Sequence, residues 1–131
     1  MDPLPAELFL CEDAAGTANV TKFGENLTMS MKEKMHTGAL YLPGDREILQ
    51  EQMQRLDRLY DFNMTRPSEL AKRQALLKEM FAEIGEDCYV EPPLYSNFGG
   101  GHVHFGRNIY ANFHLTLVDD THIYVGDYTM F

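Results

Sequence analysis

The stretch VHFGRNIYANFHLTLVDDTHIYVGD, residues 103–127, decides the fold. Within it, apolar or small residues recur at six-residue steps and once more after eight, at Phe105, Ala111, Leu117 and Val125. Gly106 and Gly126 directly follow two of them. A six-residue apolar step with turns between short strands is typical of a parallel β-helix coil. The sequence has room for about one coil and part of the next, whereas stacked repeats need roughly three units to be stable alone.

Before this stretch the apolar pattern is helical. Residues 31–37 predict a brief helix that Gly38 stops, and Asp45 is placed to cap a longer helix over residues 46–63. On that helix one stripe of residues at helical spacing is expected to face the core: Leu49, Met53, Leu56, Tyr60 and Asn63. The sequence therefore predicts an amphipathic helix with a defined buried face.

A further helix is predicted over residues 68–84. Thr65 or Ser68 can cap its start, and Pro67 suits helix entry. Gly85 stands where a left-handed residue would end it. Two amphipathic helices joined by a short loop are expected to pair antiparallel and to need another surface to cover.

The chain divides by composition into three parts. Residues 1–28 lack sustained periodicity and are expected to be a disordered or unrelated leader, either a native arm or an upstream translated extension. Residues 29–86 are the predicted helical segment, and residues 87–131 the start of the β-helix. The fold class is therefore α+β, with two to three helices followed by the first coils of a β-helix.

Composition excludes several classes of function. The 131 residues carry a net charge of −9, which argues against nucleic acid and against anionic membrane surfaces. No apolar run approaches the ~20 residues of a membrane helix. Cys11 and Cys88 do not make a disulfide framework, so free thiols are expected. A cytoplasmic protein is the simplest interpretation.

Five segments together carry a family resemblance: MKEKMHTGALYLPGD, LYDFNMTRPSE, LLKEMFAEIGED, YVEPPLY and the stretch from Val103 to Asp127. With these, the chain resembles the maltose and galactoside O-acetyltransferases of the left-handed β-helix, hexapeptide-repeat superfamily. The resemblance covers residues 29–131 nearly without gaps, and the galactoside branch is the most similar.

The resemblance implies a homotrimer with active sites between subunits, and acetyl transfer from acetyl-CoA to a sugar hydroxyl. A histidine of that family acts as general base on the hydroxyl, which must lose its proton as it attacks the thioester. That histidine lies in a Gly-His-Pro segment beyond the equivalent of Phe131, and no Gly-His-Pro occurs here. The expectation is therefore a truncated member with no catalytic residue and few acetyl-CoA-binding coils.

The resemblance assigns acceptor-binding roles to four residues. Asn112 matches the family asparagine beside the catalytic histidine, where an amide can donate to an oxygen of the reacting partner. Tyr110 and Asp120 match acceptor-contacting positions. Asn97 stands where relatives carry serine or aspartate, next to a loop that the run from Gly99 to Gly101 lengthens.

Structural alternatives stay open for these residues. Asn112 and Tyr110 suit packing within a coil turn, and Asp119-Asp120 suits a solvated acidic turn. His102, His104 and His122 could be imagined as a zinc site, but no cysteine or carboxylate stands nearby at ligand spacing, so no metal is expected.

Two alternatives to the transferase remain for the whole chain. It could be a non-catalytic capping module that assembles with a full-length relative through an open coil edge. It could also be a reduced enzyme that uses His114 or His122 as its base.

Overall fold

A computed structural model describes residues 29–131, so the expectations for residues 1–28, Cys11 among them, lie outside the described part of the chain. Three helices come first: α1 (Met31–Met35), α2 (Arg46–Asn63) and α3 (Leu70–Met80). Seven short strands follow: β1 (Glu83–Ile84), β2 (Tyr89–Val90), β3 (Leu94–Ser96), β4 (Val103–Phe105), β5 (Tyr110–Ala111), β6 (Leu115–Leu117) and β7 (Ile123–Val125). Within residues 29–131, none of the helices has the length and apolar character needed to cross a bilayer.

The strands form three parallel sheets that make the faces of a prism. The first sheet has the order β1-β4-β7, the second pairs β2 with β5, and the third pairs β3 with β6. A further parallel bridge joins Tyr110 to Met130 on the second sheet. The chain therefore completes two coils of three strands and begins a third, which is more than the one coil and part of the next expected from the sequence.

The six-residue apolar step is confirmed. Phe105, Ala111 and Leu117 are buried inside the prism. In register one coil earlier lie Ile84, Val90 and Ser96. Each inward position therefore stacks on its counterpart in the next coil, and this stacking is what the repeat encodes.

Helix α2 has the predicted bounds and the predicted cap, since the Asp45 side chain accepts from the amides of Glu47 and Ile48 at 3.1 and 3.4 Å. Its predicted buried face is wrong at three of the five positions, where the side chains are exposed: Leu49 by 44 %, Met53 by 68 % and Tyr60 by 65 %. Leu56, on the same stripe, is partly buried against the core, as predicted. The buried residues are Ile48, Leu59 and Phe62. The predicted stripe and the buried residues lie almost side by side on α2. Which of them is buried depends on the surface of α3 and the β-helix against which α2 packs.

Helix α3 ends earlier than predicted. It stops at Met80, and Ile84 lies in a strand paired with β4 instead of on a helical face. Gly85 does not end the helix. It allows the backbone to pack closely against Gly106, because a Cβ at this position would lie 2.5 Å from the Gly106 carbonyl oxygen. The predicted end of helix α3 is therefore about one helical turn too late, because the first strand of the β-helix already begins at Glu83.

The capping prediction for α3 is also wrong. Glu69 occupies the N-cap position without a side-chain cap bond, although its carboxylate accepts from the Arg66 amide at 2.7 Å. The Thr65 hydroxyl instead donates to the Phe62 carbonyl at 2.7 Å and accepts from the buried Arg73 at 2.9 Å. Thr65 therefore closes α2 and holds α3 against it.

The two long helices cover the edge of the first coil. Asn63 pairs with the backbone of Leu94 as a strand would, donating to its carbonyl and accepting from its amide, both at 2.8 Å. Gln74 donates to the Cys88 carbonyl at 3.0 Å. A strand edge presents unpaired groups unless something covers it, so these amide side chains complete the hydrogen bonding of the first coil.

Candidate acceptor site

Two of the predicted acceptor residues lie together at one corner of the prism. Asn97 follows β3 and Asp120 follows β6, and because these strands pair, their loops stack. The Asn97 side-chain amide donates to Asp120 Oδ1 at 2.9 Å. We call the loops over residues 97–102 and 118–122 the acceptor corner.

Tyr41, which sequence reasoning missed, completes this arrangement. It lies between α1 and α2, and its hydroxyl donates to Asp120 Oδ2 at 3.2 Å. Burial raises the pKa of Tyr41, and the negative charge and hydrogen bond of Asp120 raise it further. Each carboxylate oxygen of Asp120 thus has one neutral donor, which fixes its plane and leaves lone pairs able to accept from hydroxyl groups.

Asp119 supports the corner from inside. It is fully buried, so the alternative of a solvated acidic turn is wrong for this residue. Its carboxylate accepts from the Ser96 hydroxyl and from the amides of Phe98 and His102, the latter two at 2.7 and 3.3 Å. A carboxylate that accepts several such bonds is well compensated for burial.

The glycines of the corner are tightly packed. A Cβ on Gly99 or Gly101 would lie 2.4 or 2.3 Å from atoms of Arg55, and one on Gly100 would lie 2.4 Å from the Phe81 ring. Gly99 and Gly100 also have positive φ angles of 59° and 89°. The loop is therefore tightly turned, and the turn fixes where Asn97 stands.

The other two predicted residues lie elsewhere in the chain. Tyr110 is in β5 on the second sheet and stacks on Tyr89 with ring centroids 5.9 Å apart. Asn112 lies in the turn between β5 and β6, at the corner between the second and third sheets, and its Oδ1 accepts from the Phe113 amide at 2.8 Å. Within one copy, these two residues and the acceptor corner therefore occupy different parts of the prism.

A cavity of about 660 Å³ lies beside α2, and none of the four predicted residues lines it. Three of its charged side chains are paired, since Glu51 binds Lys32 Nζ at 2.6 Å and Arg55 at 3.0 Å. Burial alone would raise the pKa of Glu51, but the hydrogen bonds from these two cations hold it below its usual value. The cavity is lined mainly by side chains of α2 and meets the acceptor corner at Gly99.

Among residues 29–131, no three histidine, cysteine or acidic side chains are arranged to hold a metal ion. The described thiol, Cys88, is free and buried. The acceptor corner and the neighbouring Tyr41 offer hydrogen bonding through the Asp120 carboxylate, the Asn97 amide and the Tyr41 phenol.

The chain is similar to several known acetyltransferases. Residues 34–85 match the family model of the maltose acetyltransferase hexapeptide capping motif. The galactoside O-acetyltransferases of Lactococcus lactis and Escherichia coli are 52 % and 42 % identical over 76 % and 77 % of this chain, and over 48 % and 49 % of their own lengths. A galactoside acetyltransferase solved in complex with coenzyme A superposes with a TM-score of 0.71 at 41 % identity, covering 76 % of this chain and 49 % of that one.

The chain is thus a member, over part of its length, of the hexapeptide-repeat acetyltransferase family. Its fold is a helical cap followed by the opening coils of a left-handed β-helix, as the sequence predicted. The chain spans about half the length of the curated relatives that it matches.

Proposed function

We propose that this chain supplies the acceptor side of a sugar O-acetyltransferase, which moves acetyl from acetyl-CoA to a hydroxyl of a galactoside or a maltose-like sugar. The observation that carries the proposal is the bonding of Asp120, whose two oxygens are held by Asn97 and Tyr41. The likeness to galactoside O-acetyltransferases supports the choice of substrate class.

In this proposal Asp120 accepts hydrogen bonds from sugar hydroxyls, and Asn97 both orients it and contacts the sugar. Tyr41 is a positioning residue that acts through Asp120. Asn112 donates through its amide nitrogen to an oxygen of the reacting partner, and Tyr110 forms a wall of the same site.

We further propose that the enzyme is a cytoplasmic homotrimer whose acceptor sites form between copies. Tyr110 and Asn112 lie in a different part of the prism from Asn97 and Asp120, so a neighbouring copy would bring the two pairs together. The acceptor corner carries two adjacent carboxylates, which would repel the phosphates of coenzyme A, so no residue there is assigned to that group. The general base and the acetyl-CoA groove are assigned to residues other than these 131.

A chimera tests this proposal. Residues 29–131 replace the matching segment of the Lactococcus lactis galactoside O-acetyltransferase, and acetyl transfer from acetyl-CoA to a thiogalactoside and to maltose is measured. We expect turnover that falls at least about tenfold in Asn112→Ala and Asp120→Ala variants, because each removes a hydrogen bond to a reacting or bound group. Gln50→Ala, an exposed change on α2, is the control and should keep full activity.

A folded, trimeric chimera without turnover would overturn the transferase proposal and favour the capping-module alternative. Turnover by the 131-residue chain alone would contradict the assignment of the base to residues outside it. In that case His114 and His122 are the candidates to replace, and the responsible variant should lose the pH–rate profile.

A further inference from the structure

Four of the five histidines of the chain gather where the N-terminal segment meets the β-helix. We call His36, His102, His104 and His122 the histidine cluster. The ring centroid of His36 lies 4.7 Å from that of His102 and 5.1 Å from that of His122. His122 lies 5.4 Å from His102 and 5.0 Å from His104. Each ring of the cluster therefore contacts at least one other imidazole.

Hydrogen bonds at one side of the cluster limit how many protons it can hold. His104 Nε2 and His122 Nδ1 lie 2.8 Å apart, and a hydrogen bond between them requires a lone pair on one nitrogen. His104 Nδ1 lies 2.7 Å from the Glu83 carboxylate, which can balance one positive charge. When both rings are protonated, this hydrogen bond is replaced by repulsion between two cations.

His36 ties residues 31–37 to the β-helix. Its Nδ1 lies 3.0 Å from the Thr121 hydroxyl, in the turn that follows β6. His36 also packs against His102 of the β-helix. His102 Nδ1 donates to the Asp119 carbonyl at 2.6 Å, because a carbonyl oxygen can only accept. The attachment therefore packs one imidazole against two others whose positions the β-helix fixes.

The charged groups around His36 favour its neutral form. Burial lowers the pKa of His36, and the nearby His102 and His122 lower it further. Glu51 on α2 acts in the opposite direction, and Lys32 on α1 adds to the lowering. Asp120, next to Thr121 in the chain, already accepts from Tyr41 and Asn97.

We propose that the histidine cluster is an acid-sensitive latch, which holds residues 31–41 on the β-helix while the His36 ring is neutral and releases them when that ring is protonated. Because the neutral form of His36 is favoured in the folded state, opening takes up protons below the ordinary histidine pKa of about 6.5. The stability of the attachment is present above that pH and is lost as the pH falls through the lower folded value. Opening also withdraws Tyr41 from Asp120.

Hydrogen exchange on the 131-residue chain tests the latch. The opening constant of residues 31–41 is measured between about pH 7.5 and about pH 5.5, after correction for the intrinsic exchange rate. Each additional proton taken up on opening raises this constant by up to about tenfold per pH unit. We expect such a rise in residues 31–41 and a smaller one in α2 and α3.

Two asparagine variants form a matched pair. His36→Asn keeps a polar atom near the Nδ1 position but removes the titrating ring, so its pH slope should flatten. His114→Asn replaces the one histidine outside the cluster, at a positive φ of 61° that asparagine tolerates, and should keep the wild-type slope. His122→Asn provides a second flattened slope from the opposite side of the contact.

Nuclear magnetic resonance titration of the His36 ring in the wild-type chain gives an independent measurement, with a midpoint expected below about 6.5. A wild-type opening constant that does not change with pH would overturn the proposal. So would a slope that persists in both His36→Asn and His122→Asn, or a His36 midpoint at or above the ordinary value. None of these measurements depends on transferase activity.

Discussion

The buried carboxylate of Asp119 accepts a hydrogen bond from the Phe98 amide at 2.7 Å, which ties the turn after β6 to the loop after β3 in the coil before it. This bond links two successive coils at the corner that carries Asn97 and Asp120. The two adjacent aspartates thus have different roles. Asp119 holds the loops together, whereas Asp120 is bonded by Asn97 and Tyr41 and is proposed to bind the acceptor.

Replacing Asp119 by asparagine should destabilise the protein by about 2–3 kcal/mol, because an amide cannot accept all the hydrogen bonds that the buried carboxylate accepts. Urea unfolding at neutral pH measures the change. Asp120→Asn, one residue along on the half-buried part of the same turn, should cost less than about 1 kcal/mol. Equal losses in the two variants would contradict the structural role given to Asp119.

Gly100→Ala should destabilise the protein by at least about 2 kcal/mol. The new Cβ would meet the Phe81 ring at 2.4 Å, at a φ of 89° that alanine rarely adopts. Gly44→Ala is the matched control, because nothing lies within 4 Å of its Cβ position, and it should change stability by less than about 0.5 kcal/mol. Thermal unfolding of the two variants side by side distinguishes a packed loop from a flexible one.

The buried face of α2 can be tested by paired truncations. Phe62→Ala should cost about 3–5 kcal/mol, because it opens a cavity in the main core. Met53→Ala should cost less than about 0.5 kcal/mol, since the side chain is largely exposed. If denaturant unfolding showed the larger loss for Met53→Ala, the stripe predicted from the sequence would be the correct one.

The Glu51 ion pairs predict a specific pH dependence. The folded pKa of Glu51 is lowered, so its contribution to stability is present above its ordinary value and is lost as the pH falls through the folded value. Glu51→Gln should cost about 0.5–1 kcal/mol at pH 7, because the pairs are partly exposed, and less at about pH 3.

Urea unfolding at both pH values measures this difference. Glu79→Gln is the comparison, since the contact of Glu79 with Arg58 is a long one of 3.8 Å at the surface. It should show little change at either pH. A Glu51→Gln loss that stayed constant down to pH 3 would mean that packing, and not charge, is responsible.

Local patterns in the sequence predict α2 and the repeat correctly, but they predict the cap and the end of α3 wrongly. The bounds of α2 and its Asp45 cap follow from residues next to one another, and so does the six-residue step of Phe105, Ala111 and Leu117. The face of α2 was not predictable in this way, because Ile48 and Leu49 are neighbours with similar side chains. Which of them is buried depends on the surface that α2 covers.

The residues of the candidate site also differ in whether the sequence alone could predict them. Asn97 and Asp120 could be named from the sequence because their positions match a family pattern, although their acceptor role stays a prediction. Tyr41 and Asp119 could not, since one acts from 79 residues away along the chain and the other looks like half of an acidic turn. Their hydrogen bonds exist only after β3 and β6 have stacked.

The sequence by itself determined the helical cap, the repeat that makes the coils and the family to which the chain belongs. It could do so because periodicity, caps and turns depend on residues within a few positions of each other. Only the tertiary structure decided which stripe of α2 is buried, that Ile84 is a strand residue and that four histidines meet at one junction. Those outcomes depend on contacts between residues far apart in the chain, and such contacts form only when the helices close over the first coil.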